Sequence, residues 1–486
     1  MLNVSVALPS GHTELLSLPC SCKVGDLKIE ARQKFRRGFL KLVTAGGQPL
    51  TDPEQILQDV IQEGDSITAL ALEARVAATD WAFALWCRDG SVVTWGHLNL
   101  GGDSSEFQDQ LRNVSEVQAT ESAFAAILAD GSVITWGNPV SGGDNSEMKL
   151  ENVQQIQATS AAFAAILADG SVATWGDECS GGDSSDVEDQ LINVQHVQAT
   201  DSAFVAIRAD GSAVAWGDPD KGGDSCVGQE KLKNVLQIQA RRRAFAAILS
   251  DGSVATWGDE RSGGDSSDVQ DQLINVQYIQ ASERAFVAIC SDGSVVAWGD
   301  PLMGGDIPGV DEIKNVKAVQ STRQAFAAIL ADGSVVAWGN PGYGGDIWGC
   351  AISSETRVNL KNVQHIQATC AAFAAILTDG SVATWGDPKY GGDSGEVHEQ
   401  LRSVQKIQAT SAAFAAILAD GSAVAWGDPD AGGDSSDVQD QLINVQYIQA
   451  TERAFVAICA DGSVVAWGDP DIGGDISGVQ NQFWYL

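Results

Sequence analysis

A Trp-Gly pair returns at Trp95, Trp136, Trp175, Trp216, Trp257, Trp298, Trp338, Trp385, Trp426 and Trp467. The steps between them are 41, 39, 41, 41, 41, 40, 47, 41 and 41 residues. Self-similarity at such a period means a repeat architecture, in which each unit buries its apolar face only against its neighbours. The copies are close: Ser266–Ala281 and Ser435–Ala450 are identical. Growth by duplication is the plain inference, and it argues against a sharply specialised site in every unit.

One unit, taken from 445–475, opens with Val-Gln-Tyr-Ile-Gln-Ala-Thr, whose apolar-polar alternation predicts a strand. Ala-Phe-Val-Ala-Ile-Cys follows, short and apolar enough for a strand buried on both faces. Asp461-Gly462 then predicts a tight hairpin, because the turn needs positive φ. The third strand carries Trp467, and the Gly473-Gly474-Asp475 loop turns the chain onward. In other units a segment such as Asp268-Val-Gln-Asp-Gln-Leu273 follows, read as a fourth strand or a helical turn. A lone sheet of three or four strands is not stable in water. Phe at 83, 124, 163, 204, 245, 286, 326, 373, 414 and 455 keeps step with the Trp. These aromatics are expected to bury one another between neighbouring sheets, with small Ala residues allowing close stacking. Radial repetition of such sheets is a β-propeller.

The Asp-Gly-x-Val-x-x-Trp-Gly motif and its downstream Gly-rich loop resemble the RCC1-like (regulator of chromosome condensation type) repeat family over about residues 74–480. Ten copies exceed the seven blades that family typically shows, and Gly-Gly-Asp stands where a Gly-Gln-Leu-Gly-type run is more usual. Arg75–Thr79 matches the strand that opens a unit, and Gln482–Leu486 stops where the next would begin. A closed ring would therefore bring Phe483, Trp484 and Tyr485 to the first unit, to seal the seam.

Residues 1–72 read differently. Leu2–Leu8 alternates as a strand, Pro9–His12 turns, and Glu14–Leu18 returns. Leu27–Phe35 suits an amphipathic helix capped by Asp26. Leu40–Val43 and Asp65–Leu72 supply the remaining strands. This ββαββ order, with Val43-Thr-Ala-Gly46, Gln48-Pro-Leu50 and Leu57–Ser66, resembles the ubiquitin-like β-grasp family. No Gly-Gly ends the segment, so the resemblance implies a fixed, non-conjugated module. It also maps the family's docking patch onto Leu8, Val43 and Ala71. The expected fold class is mainly β: a small α+β grasp domain over 1–72, then an all-β propeller of ten repeats over 73–486.

The net charge is -35, and residues 1–72 hold 7 Lys and Arg against 8 Asp and Glu, so the repeats carry almost all of it. Such a surface repels phosphate backbones and disfavours nucleic acid as a partner. No apolar run is long enough to span a membrane and no signal-like segment opens the chain. A cytoplasmic or nuclear setting is expected. The nine cysteines fall in no CxxC; Cys87, Cys290 and Cys459 hold equivalent places and read as small core residues.

Catalysis finds no support. The His residues (12, 97, 196, 365, 398) are dispersed, and no nucleophile-base arrangement or phosphate loop is visible. The Gly-Gly-Asp-Ser-Ser-Asp loops, with Asp183, Asp186, Asp265, Asp268, Asp434 and Asp437, offer hard oxygen donors for calcium. Turn geometry and solvation explain them more simply, so neither metal nor cofactor is expected. Variation concentrates in two loops per unit. One follows the Ala-Thr strand and includes Glu121-Ser122, Asp201-Ser202, Arg241-Arg242-Arg243, Glu283-Arg284, Thr322–Gln324 and Glu452-Arg453. The other follows Trp-Gly and includes Val140, Lys221, Met303, Tyr343, Tyr390 and Ile472. Loops on a rigid scaffold are where partners bind. Arg241, Arg242 and Arg243, and Trp348 in the apolar insert of the longest unit, are the candidate contacts. The expected function is a non-enzymatic scaffold whose propeller grips a protein partner while the ubiquitin-like domain docks to a ubiquitin-pathway component. The resemblances leave two rivals open: exchange-factor action on a small GTPase, and an accessory role in an RCC1-containing ubiquitin ligase system. Eleven residues follow Asp475, too few for a catalytic ligase domain in this chain.

Overall fold

The structure, a computed structural model, describes residues 1–35, 39–50, 52–72, 74–87, 90–224, 232–307, 313–346 and 360–484. Trp348 lies outside them, as do Tyr485 and the side chain of Trp484.

The first 72 residues form β1 (Leu2–Ala7), β2 (Thr13–Leu18), α1 (Val24–Phe35), β3 (Phe39–Thr44) and β4 (Ser66–Leu72). The sheet order is β2-β1-β4-β3, with β1 and β4 parallel and the outer pairs antiparallel. Val4, Val6, Leu16, Leu27, Ala31, Leu42 and Ile67 close the core under the helix. The helix begins two residues before Asp26. Asp26 therefore sits in the first turn rather than at the cap, and its carboxylate accepts the Lys23 N–H at 2.8 Å. A carboxylate there still satisfies an orphan helix N–H and complements the dipole.

From Ala74 onward the chain forms ten three-stranded antiparallel sheets. Blade 1 has an inner strand Ala74–Ala78, a middle strand Ala82–Cys87 and an outer strand Val92–Gly96. Blade 10 repeats this at Val445–Ala450, Ala454–Cys459 and Val464–Gly468. Inner strands touch inner strands around the whole circuit, blade 10 against blade 1 included, so the ring is closed. Ten exceeds the usual four to eight blades of a propeller. Neighbouring sheets must then stack at a small angle, which Ala on one stacking face permits.

The Phe and Trp of a unit are cross-strand neighbours within one blade, as in Phe83 opposite Trp95. All ten pairs stack with centroids 5.0–5.5 Å apart. The expectation of aromatics facing each other between sheets is thus corrected. Each stacked pair faces the alanines of the preceding blade instead, as Phe124 and Trp136 face Ala82 and Ala84. The pairing partners share one pleat because the Asp-Gly hairpin fixes the register.

Blades are joined by one repeated hydrogen bond. The Trp136 indole N–H donates to the Gly101 carbonyl of the preceding blade. The same bond recurs at every Trp, at 2.9–3.1 Å, and the last, Trp95 to Gly473, closes the ring. Gly101 has φ 108°, and a Cβ there would lie 2.6 Å from the Phe124 ring. The first glycine of each Gly-Gly is therefore required by packing across blades as well as by the turn. Phe483 meets Trp95 edge-on at 5.4 Å and is buried, so the seam is sealed as expected from the C-terminal aromatics.

In blades 1, 3, 5 and 9 the segment after Gly-Gly is a short 3-10 turn rather than a fourth strand, for example Ser267–Gln272. It runs across the outer strand, and the Gln270 side-chain amide donates to the Val254 carbonyl at 2.9 Å. A side chain thus supplies what a fourth strand would have supplied to that edge. Cys87, Cys290 and Cys459 are buried.

Two substitutions test the lock at the junction of blades 5 and 6. Trp298→Phe keeps the stacked ring and removes the donor to Gly263; a loss of about 1–3 kcal/mol is expected from the stranded carbonyl. Gly263→Ala places a methyl about 2.6 Å from the Phe286 ring in a left-handed backbone and should cost at least as much. Chemical denaturation of the two variants beside the parent checks both values.

Candidate interaction face

The strands give the ring two unlike faces. Asp-Gly turns lie on one. The Trp-Gly ends and the turns after Ala-Thr lie on the other, because inner and outer strands run in the same direction. Direct contact confirms the second grouping: Thr120 Oγ1 donates to the Ser141 carbonyl beside Gly142 at 3.2 Å. Both variable loops of every unit therefore share one face. The N-terminal sheet is on the opposite face. The buried Arg32 donates to the Phe483 carbonyl and to Gly462, in the Asp-Gly turn of blade 10, both at 3.1 Å. Its guanidinium also covers Phe39, which packs with Val76, Leu85 and Cys87 of blade 1.

On the variable face a Thr or Ser holds the axial turn in nine of the ten blades. Thr79 Oγ1 accepts the Ala82 N–H at 2.9 Å and donates to the Leu100 carbonyl at 3.2 Å. The residue after it then joins its neighbours around the axis. The N–H of Asp80 donates to the Glu121 carbonyl, Glu121 to Ser160, Ser160 to Asp201 and Asp201 to Arg242. Glu283 continues to Arg323, Arg323 to Cys370, Cys370 to Ser411, Ser411 to Glu452, and Glu452 back to Asp80. These bonds span 2.8–3.3 Å and form a backbone throat.

The link from Arg242 to Glu283 is missing from the throat. Arg241 occupies the position where the other blades have Thr or Ser, so the hydroxyl that holds the turn is absent. The inner strand runs one residue further, to Arg241, the Arg243 N–H folds back onto the Arg241 carbonyl, and Arg242 has φ 36°. Its guanidinium then reaches both neighbours, Asp201 at 3.8 Å and Glu283. Of the three arginines expected as contacts, Arg241 and Arg242 line the axial cavity; Arg243 is exposed beside it.

This cavity, about 630 Å³, is walled by polar groups. Gln239, Gln280, Gln320 and Gln449 line its sides, and Asp80, Arg323, Cys370 and Glu452 its rim. Burial pushes the Asp80 carboxyl up to about 6, helped by the charges of Glu121 and Glu452 on either side. Burial and then Asp201 raise Glu121; burial raises Asp201, with Arg242 opposing. Burial also raises the Cys370 thiol. Repeat spacing alone did not show that ten residues about 41 apart converge here; closure of the ring brings them together.

The three N-terminal candidates divide. Leu8 packs at the edge of the core, and Val43 stands opposite Thr68 on the outer face. Ala71 stands opposite the buried Leu40, on the pleat of Ile67 and Ala69, but is itself exposed near the strand's end. A one-residue register difference moves a side chain to the other face. Thr68 and the exposed Leu70 are the β4 residues that share Val43's face.

Among the described residues no group of His, Cys, Asp and Glu could hold a metal ion, and no helix is long and apolar enough to cross a membrane. No family model and no curated protein matches the chain. Solved structures similar to it include the computationally designed Ika8 protein, 14% identical over 73% of this chain and 96% of that one, TM-score 0.32. Prp20p (RCC1) of Saccharomyces cerevisiae is 15% identical over 65% of this chain and 83% of that one, TM-score 0.34. Human WBSCR16 is 16% identical over 61% and 82%, TM-score 0.28. Likeness this distant leaves function to be argued from the face itself.

Two variants check the account of the throat. Arg241→Thr restores the missing hydroxyl and should stabilise the chain by about 1 kcal/mol, read as a higher unfolding midpoint. Asp80→Asn removes a carboxyl that binds its proton more tightly folded than unfolded. The parent's stability should therefore fall as pH rises from about 4 to 6, while the variant's falls less. Near pH 7 the variant should be the more stable by about 1–2 kcal/mol, discounted for residual exposure, and the two should converge below pH 4.

Proposed function

We propose that the protein is a non-enzymatic interaction scaffold acting in the cytoplasm, with a protein partner seated on the variable face. One observation supports this reading most: the fold needs the Thr hydroxyls, the indoles and the glycines of each unit, whereas the residues free to vary are gathered on one face. The side chains of Asp80, Glu121 and Glu452 form no ion pair between blades among the described residues, since the throat uses their backbones.

The N-terminal sheet offers a second contact. Arg32 and Phe39 fasten it to blades 10 and 1, which leaves Val43, Thr68 and Leu70 outward. In the proposed arrangement this outer face docks a ubiquitin-pathway component while the ring holds the client. A fixed rather than swinging attachment suits a scaffold, because it sets the distance between the two partners.

Three baits compared in native extract test the reading: the full chain, Val43→Asp, and Arg323→Glu. Val43→Asp should lose proteasome or ubiquitin-receptor proteins and keep the rest. Arg323→Glu should lose the complementary set. The same captured set for all three baits would contradict the proposal.

A further inference from the structure

The throat is electrically lopsided. Its ten positions follow in order around the axis: Asp80, Glu121, Ser160, Asp201, Arg242, Glu283, Arg323, Cys370, Ser411 and Glu452. Glu452, Asp80 and Glu121 are consecutive, and none of them forms an ion pair among the described residues. The position opposite Asp80 in this ten-membered circuit is Glu283, flanked by Arg242 and Arg323. There Arg242 bridges Asp201 and Glu283, and with Arg241 and Arg323 three guanidiniums stand beside two carboxylates. One side of the cavity thus carries three carboxylates, eased only in part by Arg323 and Arg242, and the facing side a net positive charge.

Width limits what can enter. A hydrogen-bonded step between neighbouring strands spans about 4.8 Å, so ten steps enclose a circle roughly 15 Å across between Cα atoms. An α-helix with side chains is about 10–12 Å wide, and the rim side chains take up the difference. An extended chain fits. It would also bring unpaired backbone N–H and C=O groups, which the glutamine wall below the rim can both accept from and donate to. In an extended chain successive side chains point to opposite sides.

We infer that the axial throat binds an extended peptide segment of alternating charge, its basic side chains toward Asp80 and Glu452 and its acidic ones toward Arg323 and Arg241. This rests on the scaffold reading and specifies the partner's chemistry. Charge sequence, not net charge, sets the fit, because only alternation puts all cations on one side of the strand.

The test uses the full chain and three fluorescein-labelled decapeptides in low salt. One alternates lysine and glutamate, one has a lysine half followed by a glutamate half, and one is all lysine. Anisotropy should show the alternating peptide binding at least tenfold more tightly than the block peptide of the same composition, weakening as salt is added. Arg323→Gln should reduce that affinity severalfold, and Asp80→Asn likewise. Arg402→Glu, on the outer rim and paired with Glu399, should leave it unchanged. Unfolding midpoints near the parent's for all variants confirm that binding, not folding, is read. Equal affinity for the alternating and block peptides overturns the inference. So does tightest binding of the all-lysine peptide, which would report general acidic attraction. Absence of binding by any peptide overturns it too. The scaffold reading would survive that result if Arg323→Glu still lost a captured set.

Discussion

The bond from each tryptophan indole to the glycine carbonyl of the preceding blade is the contact on which the rest depends. It reaches between sheets that share no backbone ladder, and it works only if the glycine takes a left-handed backbone and carries no side chain against the next phenylalanine. Three recurring features of a unit, Trp-Gly, Phe and Gly-Gly, are therefore one device. No blade can keep it alone, since donor and acceptor belong to different units. The repeats stabilise one another as a closed set, and the bond from Trp95 to Gly473 makes the first unit no different from the others.

That arrangement separates fold from recognition. The throat is held by Thr hydroxyls and by backbone groups, so the side chain after each Thr can change without loosening a blade. Blade 5 shows the converse. Where Arg241 replaces the hydroxyl, the turn itself reorganises, and the guanidinium of Arg242 bridges Asp201 and Glu283, across the gap in the backbone circuit. The acidity of the array has a similar logic. Carboxylates in the Asp-Gly-Ser turns are satisfied locally, as Ser132 holds Asp130 below the usual carboxylate range. Asp80 and Glu121 at the throat have no such partner, and burial with neighbouring negative charge raises them.

Much of this was legible in the sequence. Period, strand alternation and the Asp-Gly hairpin signalled the three strands and left open only a fourth, because each is a local property. The unit-opening strand at Arg75–Thr79, and a tail at Gln482–Leu486 that stops where the next would open, foretold the seam. What failed was non-local or a matter of one residue. The Phe–Trp stack within a blade follows from hairpin register, which period cannot fix. Ala71 alternates with the buried Ile67 and Ala69 rather than with Thr68 beside Val43, which the continuous apolar run Leu70–Leu72 could not show. The side-chain substitute for a fourth strand left no signal, since Gln270 looks like any loop glutamine. The throat needed the ring.

End-on electron-microscope averages of the full chain test the central claim most directly. The account requires a closed ring of ten equal lobes around a central opening, with one extra density on a single face over the seam. An open arc, or a ring of seven or eight lobes with units left outside it, would contradict it.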